Sequence, residues 1–181
     1  MSPPTLVARP NQPSPVTFSG NFTPEQQARV LEITDIILRG RGDFAKGVGS
    51  RLELTRVEAY ERPEDGRLHA EVAFEIDMDE DMLNAGGNLH GGCTMFMIDV
   101  CSIALLVLGI ARDMTVNLVS QAITTVFHAP ATVGARLRIV NQTVSFGART
   151  VSVRTEIWDT TNRRLVATAV HNQMSPSEPK L

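Results

Sequence analysis

An alternation of apolar and polar residues between positions 68 and 77 is the most regular pattern in the chain. Apolar side chains occupy every second position from Leu68 to Ile76, and the positions between them are mostly polar. A period of two predicts a β-strand with one packed face and one more polar face. A weaker alternation over residues 52–61 predicts a preceding strand, and Arg62–Gly66 between them contains the proline and glycine of a turn.

Further strand-like patterns fill the second half of the chain. They are rich in Val, Thr and Ile, and the polar stretch 159–162 predicts a hairpin turn between the last two. The predicted strands are Thr115–His128, Ala135–Val144, Arg149–Trp158 and Leu165–His171.

An amphipathic helix is predicted to begin after Thr23. Thr23 and Gln26 have the spacing of a capping box, and Pro24 suits the first helical position. The apolar stripe of this helix consists of Val30, Ile33 and Ile37. Arg39–Gly42 is expected to end it.

Both ends of the chain are predicted to be tails around one domain at residues 23–174. Residues 1–22 contain five prolines and few large apolar side chains, which predicts a flexible segment, and residues 175–181 are polar. No apolar block follows the first Met, and Arg9 alone is weak evidence for a mitochondrial presequence. We therefore expect a cytoplasmic protein, with the mitochondrion as the alternative.

The longest apolar stretch, Cys93–Ala111, is almost long enough to span a membrane. It contains Asp99, Ser102 and Gly109, and a central Asp costs about 2.5–3.5 kcal/mol on membrane insertion. We interpret residues 91–111 as a buried core helix instead of a membrane span. Because this helix is apolar nearly all round, it must be covered on most sides. The predicted fold class is therefore α+β, with a curved antiparallel sheet wrapped around a long central helix.

Composition narrows the possible function classes. The chain has 181 residues, of which 43% are hydrophobic, and this is typical of one globular domain. Its net charge of −3 argues against nucleic acid as a main partner. Cys93 and Cys101 would lie roughly 12 Å apart on a helix, too far for a disulfide. We expect both to be buried thiols, with an activated Cys93 thiolate at the helix start as an alternative.

Candidate chemistry concentrates in residues 84–99. A polar, glycine-rich loop leads into the core helix, where glycines let a substrate approach bare backbone N–H groups. Asp99 lies among apolar residues, which should raise its pKa and favour proton transfer. The Gly-x-Ser-x-Gly elbow of serine hydrolases is absent from the sequence.

This pattern resembles the hotdog-fold acyl-CoA thioesterases, in particular the phenylacetate-pathway branch. The similar segment reads Asn-Ala-x-Gly-x-Leu-His-Gly-Gly from Asn84 to Gly92, followed by Asp99 seven residues later. Ser120 before Phe127–Pro130 adds a second point of similarity, and the resemblance covers about residues 45–174. It implies hydrolysis of an acyl-CoA thioester.

The resemblance also implies roles for individual residues. The Gly92 N–H would stabilise the oxyanion beside Gly91, and Asp99 would act as base or nucleophile. Asn84 and Ser120 would hold the water or the carboxylate, and His90 would mainly order the loop. Each role has a structural alternative: tight packing for the glycines, a capping Asp, an ordinary turn Asn and a polar strand Ser.

Helix geometry adds a constraint to these roles. Asp99 lies roughly 10 Å along the helix from Gly92, too far to serve one carbonyl group. The resemblance implies that acid and oxyanion donor come from different subunits of a homodimer, with a dimer of dimers as the expected assembly.

Coenzyme A would be part of the substrate, and no cofactor or metal is expected. The resemblance implies phosphate contacts at the turn holding Gly147, Arg149 and Thr150, with a solvated turn Arg as the alternative. The position of a cation in some relatives is occupied here by His171–Met174. Medium-to-long fatty acyl chains are the preferred substrates because Met95, Phe96 and Met97 follow the glycines. The alternatives are aryl-CoA hydrolysis and non-catalytic acyl-CoA binding; the motifs of hotdog dehydratases were not found.

Overall fold

A curved sheet of eight strands wraps around a central helical segment in the computed structural model, which describes residues 4–7, 15–40, 42–147 and 150–176. The strands are β1 (Thr5–Val7), β2 (Val16–Ser19), β3 (Glu53–Arg62), β4 (Arg67–Asp77), β5 (Val119–Phe127), β6 (Arg136–Phe146), β7 (Thr150–Asp159) and β8 (Arg164–Met174). The helices are α1 (Pro24–Arg39), α2 (Lys46–Arg51), α3 (Gly91–Cys101) and α4 (Ala104–Ala111).

The strands lie in the order β1-β2-β3-β4-β6-β7-β8-β5. Neighbours are antiparallel except β2 and β3, which run parallel. The predicted α+β fold is confirmed: β3 and β4 precede the central helical segment, and β5 to β8 follow it. Strand β5 is left at one edge of the sheet, paired only with β8 among the described strands.

The core lies between the inner face of the sheet and the central helical segment. Side chains from both sides are less than 2% exposed there, among them Phe74, Met97, Ile98, Leu105, Leu108 and Ile139. Residues 91–111 have the length and apolarity of a membrane-spanning helix, and 67% of their most apolar window is buried inside the protein. The segment packs as the core helix of this fold.

The central helix is not continuous, which corrects the prediction of one helix over 91–111. It breaks at Ser102, where the hydroxyl donates to the carbonyl of Ile98. The Ile103 N–H then bonds to the Cys101 carbonyl at 2.7 Å. A Ser side chain that bonds back to a carbonyl four residues earlier competes with the helical ladder. The break therefore coincides with the Ser102 hydroxyl in the middle of a mostly apolar run.

The N-terminal segment is not a simple tail in its described part. Val16 and Phe18 are buried, and β2 pairs with β3 while β1 pairs with β2. The expected flexible tail is therefore wrong for these residues. The prolines prevent a helix, but an edge strand tolerates them nearby, and two apolar residues at alternate positions suffice to bury one face.

Helix α1 begins as the capping-box spacing predicts. Thr23 Oγ1 accepts from the Gln26 N–H at 3.2 Å, and Gln26 Oε1 accepts from the Thr23 N–H at 3.0 Å. The short α2 was not predicted; it carries Val48 towards the start of α3.

Candidate active site

Asp99 lies on α3, and its side chain lines a cleft of about 420 Å³. Its side chain is 52% exposed, so the expectation of a buried carboxylate is wrong for the single chain. The chain by itself leaves this group largely solvated, because α3 presents it at the rim of the core. We call this space the Asp99 cleft; its wall includes Phe44, Gly92, Met95, Phe96, Ser120 and Ile123.

Ser120 on β5 donates from Oγ to Asp99 Oδ1 at 3.2 Å. The pairing of β5 with β8 shifts register between Ser120 and Ala122, where Gln121 is the extra residue. Ser120 pairs with Gln173 and Ile123 pairs with His171, two positions that face the same side of β8. The bulge therefore lets both Ser120 and Ile123 face the cleft, although they are three residues apart.

His171 on β8 is a third member of this cluster, which sequence reasoning missed. Its side chain is fully buried, and its Nε2 lies 3.0 Å from Ser120 Oγ and 3.9 Å from Asp99 Oδ1. Burial lowers the pKa of His171, and the charge of Asp99 acts in the opposite direction. The available signal is its inward position in the last strand. The resemblance draws attention to this position only as the place of a phosphate-binding cation in some relatives.

His90 caps the start of α3. Its Nδ1 accepts from the Gly92 N–H at 2.9 Å, and its carbonyl accepts from the Thr94 N–H at 2.9 Å. A Cβ on residue 92 would lie 3.0 Å from this Nδ1. An added Cβ at residue 92 would therefore press on the capping ring. The Gly92 N–H, the predicted oxyanion donor, is already used by this cap.

The neighbouring Gly91 N–H makes no hydrogen bond to any residue that the structure describes. A Cβ on Gly91 would lie 3.6 Å from Phe127 Cζ, which is ordinary contact. The start of α3 thus lies against the end of β5. Ser120 and Asp99 lie at the other end of that strand.

Asn84 closes the loop before α3 and is not brought to Asp99 of its own chain. Its Oδ1 accepts from the Gly86 N–H at 2.9 Å and the Asn88 N–H at 3.2 Å. Its backbone N–H bonds to the Asn88 carbonyl at 2.8 Å. In the single chain this is the turn role that was the alternative interpretation.

Apolar side chains form the wall of the Asp99 cleft nearest the glycines. Phe44, 84% exposed, meets Phe96 edge-on with ring centroids 5.7 Å apart. Met95 also faces the cleft, whereas Met97 is fully buried in the core, which corrects its expected place in the pocket. Met95 and Phe96 lie on the face of α3 that lines the cleft, whereas the next residue, Met97, lies on the face that packs into the core.

A second recess of about 280 Å³ beside Phe44 and Phe96 is lined by Val48, His90 and Cys93. Burial raises the pKa of the Cys93 thiol to about 11, so the thiol stays protonated near neutral pH. This argues against the activated-thiolate alternative.

Among the described residues, no three His, Cys, Asp or Glu side chains come close enough to hold a metal ion.

The predicted phosphate contacts are only partly visible. Arg149 lies outside the described residues, Thr150 begins β7, and Gly147 lines a separate cleft of about 430 Å³. Arg67 and Arg112 line the same cleft, and the Arg112 guanidinium lies 5.2 Å from the centroid of the Phe146 ring.

Comparisons with known proteins agree with this geometry. A family model described as Thioesterase superfamily matches residues 86–166, which include the glycines, Asp99 and Ser120. The structure is similar to zebrafish thioesterase superfamily member 2, with a TM-score of 0.64 and 21% identity over 82% of this chain and 97% of that one.

The chain has the hotdog fold.

Two bacterial hotdog structures are also similar. The E. coli PaaI protein from the phenylacetic acid degradation operon gives a TM-score of 0.57 and 19% identity, over 83% of this chain and 95% of that one. A thioesterase protein from Streptococcus pneumoniae with coenzyme A gives 0.52 and 19%, over 61% and 84%. No curated protein sequence matches the chain significantly.

The family match and the fold together support thiolester hydrolysis as the activity class of this hotdog protein. Within the chain, the chemical groups form two sets. Asp99, Ser120 and His171 cluster at one end of β5, and Gly91 lies near its other end. In the single chain these two sets therefore lie at opposite ends of β5.

Proposed function

We propose that this protein hydrolyses acyl-CoA thioesters, with Asp99 as the general base for an attacking water. The observation that carries the proposal is the Asp99 carboxylate at the rim of an apolar cleft, with the Ser120 hydroxyl donating to Oδ1. The bond fixes the carboxylate and leaves Oδ2 as the oxygen that we assign to the water. A positioned base of this kind contributes about 10²–10⁴ in rate.

We assign the oxyanion to the Gly91 N–H in place of Gly92. Attack of water on the thioester carbon places negative charge on the carbonyl oxygen, and a free N–H at a helix start stabilises that charge. The Gly92 N–H is occupied by His90, whereas that of Gly91 has no partner among the described residues. Because His90 Nδ1 accepts from the Gly92 N–H, this nitrogen carries no proton, and a neutral His90 ring has its proton on Nε2.

We propose that two copies of the chain pair along β5 to complete each site. Seven of the nine residues of this edge strand are exposed, including the apolar Val119, Val126 and Phe127. An exposed apolar edge strand is a template for pairing with another strand. Antiparallel pairing of β5 with itself brings the Ser120 end of one copy to the Phe127 end of the other. Asp99 of one chain then approaches Gly91 and Asn84 of the partner, as the two-turn separation requires.

Coenzyme A as the leaving group is supported by similarity. The structurally similar S. pneumoniae thioesterase forms a complex with coenzyme A. We propose that the phosphates contact the cleft lined by Gly147, Arg67 and Arg112, because guanidinium groups match phosphate geometry. The loss of a cation at 171–174 is then offset by arginines on other elements.

We propose medium-to-long fatty acyl chains as the preferred acyl groups. The Asp99 cleft offers Phe44, Met95, Phe96 and Ile123, which are apolar and, in the case of Met, adaptable in shape. An aryl group would also contact the two Phe rings. A panel of acyl-CoA lengths with one aryl-CoA, followed by a chromogenic thiol reagent, decides between the two.

The test of the function is the same thiol assay on wild type and on the Asp99→Ala and Asp99→Asn variants. We expect wild-type turnover and a loss of at least ~10²-fold in kcat for both variants, with unchanged circular dichroism. Acyl-CoA binding without turnover would instead show a non-catalytic module. Incorporation of ¹⁸O from labelled water into Asp99 during turnover would contradict the role of base and show a nucleophile.

A further inference from the structure

We propose that His171 is a positioning residue that donates from Nε2 to Ser120 and thereby directs the Ser120 hydroxyl at Asp99. The proposal rests on the hydrolytic function proposed above. It adds a residue from β8 that contacts no substrate and acts through Ser120. Its basis is a compact cluster in which Ser120 Oγ lies 3.0 Å from His171 Nε2 and 3.2 Å from Asp99 Oδ1, while these two outer atoms are 3.9 Å apart.

The number of protons in this arrangement fixes the direction of the bonds. An ionised Asp99 only accepts, and the Ser120 hydroxyl has a single proton to donate. If that proton pointed at His171, lone pairs of Ser120 and Asp99 would face each other at 3.2 Å. If it points at Asp99, His171 must donate from Nε2.

The other ring nitrogen gives the same answer independently. His171 Nδ1 is buried and has no hydrogen-bond partner among the described residues. A neutral ring with its proton on Nδ1 would bury an unpaired N–H, which costs more than leaving a bare nitrogen. Both arguments select the tautomer with the proton on Nε2. Burial also lowers the pKa of His171, which keeps the ring neutral.

The same three side chains occur in serine hydrolases, but their order differs here. In a Ser-His-Asp triad the acid holds the ring nitrogen opposite the serine, and the histidine accepts the serine proton. In this site the acid accepts from the serine, and the opposite ring nitrogen has no partner in the described part of the chain. Ser120 is therefore a hydrogen-bond link and not a nucleophile, and His171 is a donor and not a base.

Nuclear magnetic resonance of the wild-type protein tests the tautomer without any activity. The chain has four histidines, and the ring signals of His171 are those lost in His171→Gln. We expect a protonated Nε2 and an unprotonated Nδ1 at pH 7.5, and a changed Nε2 shift in Ser120→Ala. A proton on Nδ1, or a charged ring, would overturn the proposal whatever the enzyme does.

A matched pair of variants tests the effect on turnover. His171→Gln and His171→Met have side chains of similar size and shape, but only Gln has an N–H to donate in place of Nε2. We expect kcat about tenfold lower in His171→Met and within about threefold of wild type in His171→Gln, with KM changed less than twofold in both.

Additivity separates positioning from general damage. Because His171 acts through Ser120, the double variant His171→Met/Ser120→Ala should be no slower than Ser120→Ala. Equal kcat for the Gln and Met variants, or additive losses in the double variant, would refute the positioning role. If wild type shows no turnover on the acyl-CoA panel, the hydrolytic function fails, and the tautomer measurement still decides whether His171 donates to Ser120.

Discussion

The proposed division of the two chemical sets between subunits predicts a specific result in mixed dimers. Asp99→Ala removes the acid set of its own chain, and Gly91→Ala places a methyl group beside the oxyanion donor of its own chain. A Cβ at residue 91 meets only Phe127 Cζ at 3.6 Å, so this variant should fold. Each variant alone has two damaged sites per dimer.

The expected magnitude follows from the two-fold symmetry. In a dimer of one Asp99→Ala chain and one Gly91→Ala chain, both lesions fall in the same site and the other site is intact. The heterodimer should therefore have about half of the wild-type kcat per dimer. The reasoning depends on the separation of eight positions between Gly91 and Asp99, roughly 12 Å of helix, whereas donors and bases act at about 3 Å.

The assay uses two affinity tags on co-expressed chains, so that only heterodimers survive tandem purification, followed by thiol release from an acyl-CoA. A matched control pairs Asp99→Ala with Ser120→Ala. Because Asp99 and Ser120 belong to the same set at 3.2 Å, that heterodimer has a lesion in each site and should stay inactive. If the Asp99/Gly91 heterodimer is as inactive as its parents, acid and donor act within one chain and the proposed pairing of β5 is wrong.

Two further predictions concern stability. Gly92→Ala should lower the free energy of unfolding by about 1 kcal/mol in urea denaturation, because its Cβ would displace the capping His90 ring 3.0 Å away. Gly91→Ala should lower it by less than about half of that, because its Cβ makes only an ordinary contact. Equal losses in the two variants would contradict the role of the His90 cap. Lowering the pH from 7.5 to 5.5 should destabilise wild type more than His171→Gln. Burial lowers the pKa of His171 below 6.5, so the unfolded chain binds a proton that the native chain does not, and stability falls as pH drops through 6.5. Parallel pH profiles for the two proteins would refute this.

Features carried by near neighbours in the sequence were predictable. The capping box of Thr23 and Gln26 has both partners three residues apart, and the alternation over residues 68–77 identifies the strand β4. The predicted difference between its two faces is wrong, because His69, Glu71 and Ala73 on the more polar face are buried as well. The core helix and the glycine loop were recognisable from composition alone. The break at Ser102 was harder to predict, because the hydroxyl of a Ser in a helix has several possible acceptors.

Features that depend on distant partners were not predictable. Residues 16–19 become a strand only because β3, some forty residues later, offers an edge. His171 joins the site because β8 lies beside β5 and a bulge turns Ser120 inward. The choice between Gly91 and Gly92 has a local partner, but it depends on the direction of the His90 ring, which the sequence does not show. None of these contacts leaves a periodic signal in the sequence.

The sequence by itself determined the α+β class, the position of the core helix, and the presence of an acid and a glycine-rich helix start two turns apart, because these follow from local periodicity and helix geometry. The tertiary structure decided which atoms are free to react. Hydrogen bonding is exclusive for a single proton: the Gly92 N–H that caps α3 cannot also bind an oxyanion, and the Ser120 hydroxyl that holds Asp99 cannot also donate to His171. The first allocation depends on the direction of the His90 ring, and the second on side chains that meet only when the sheet wraps around the helix.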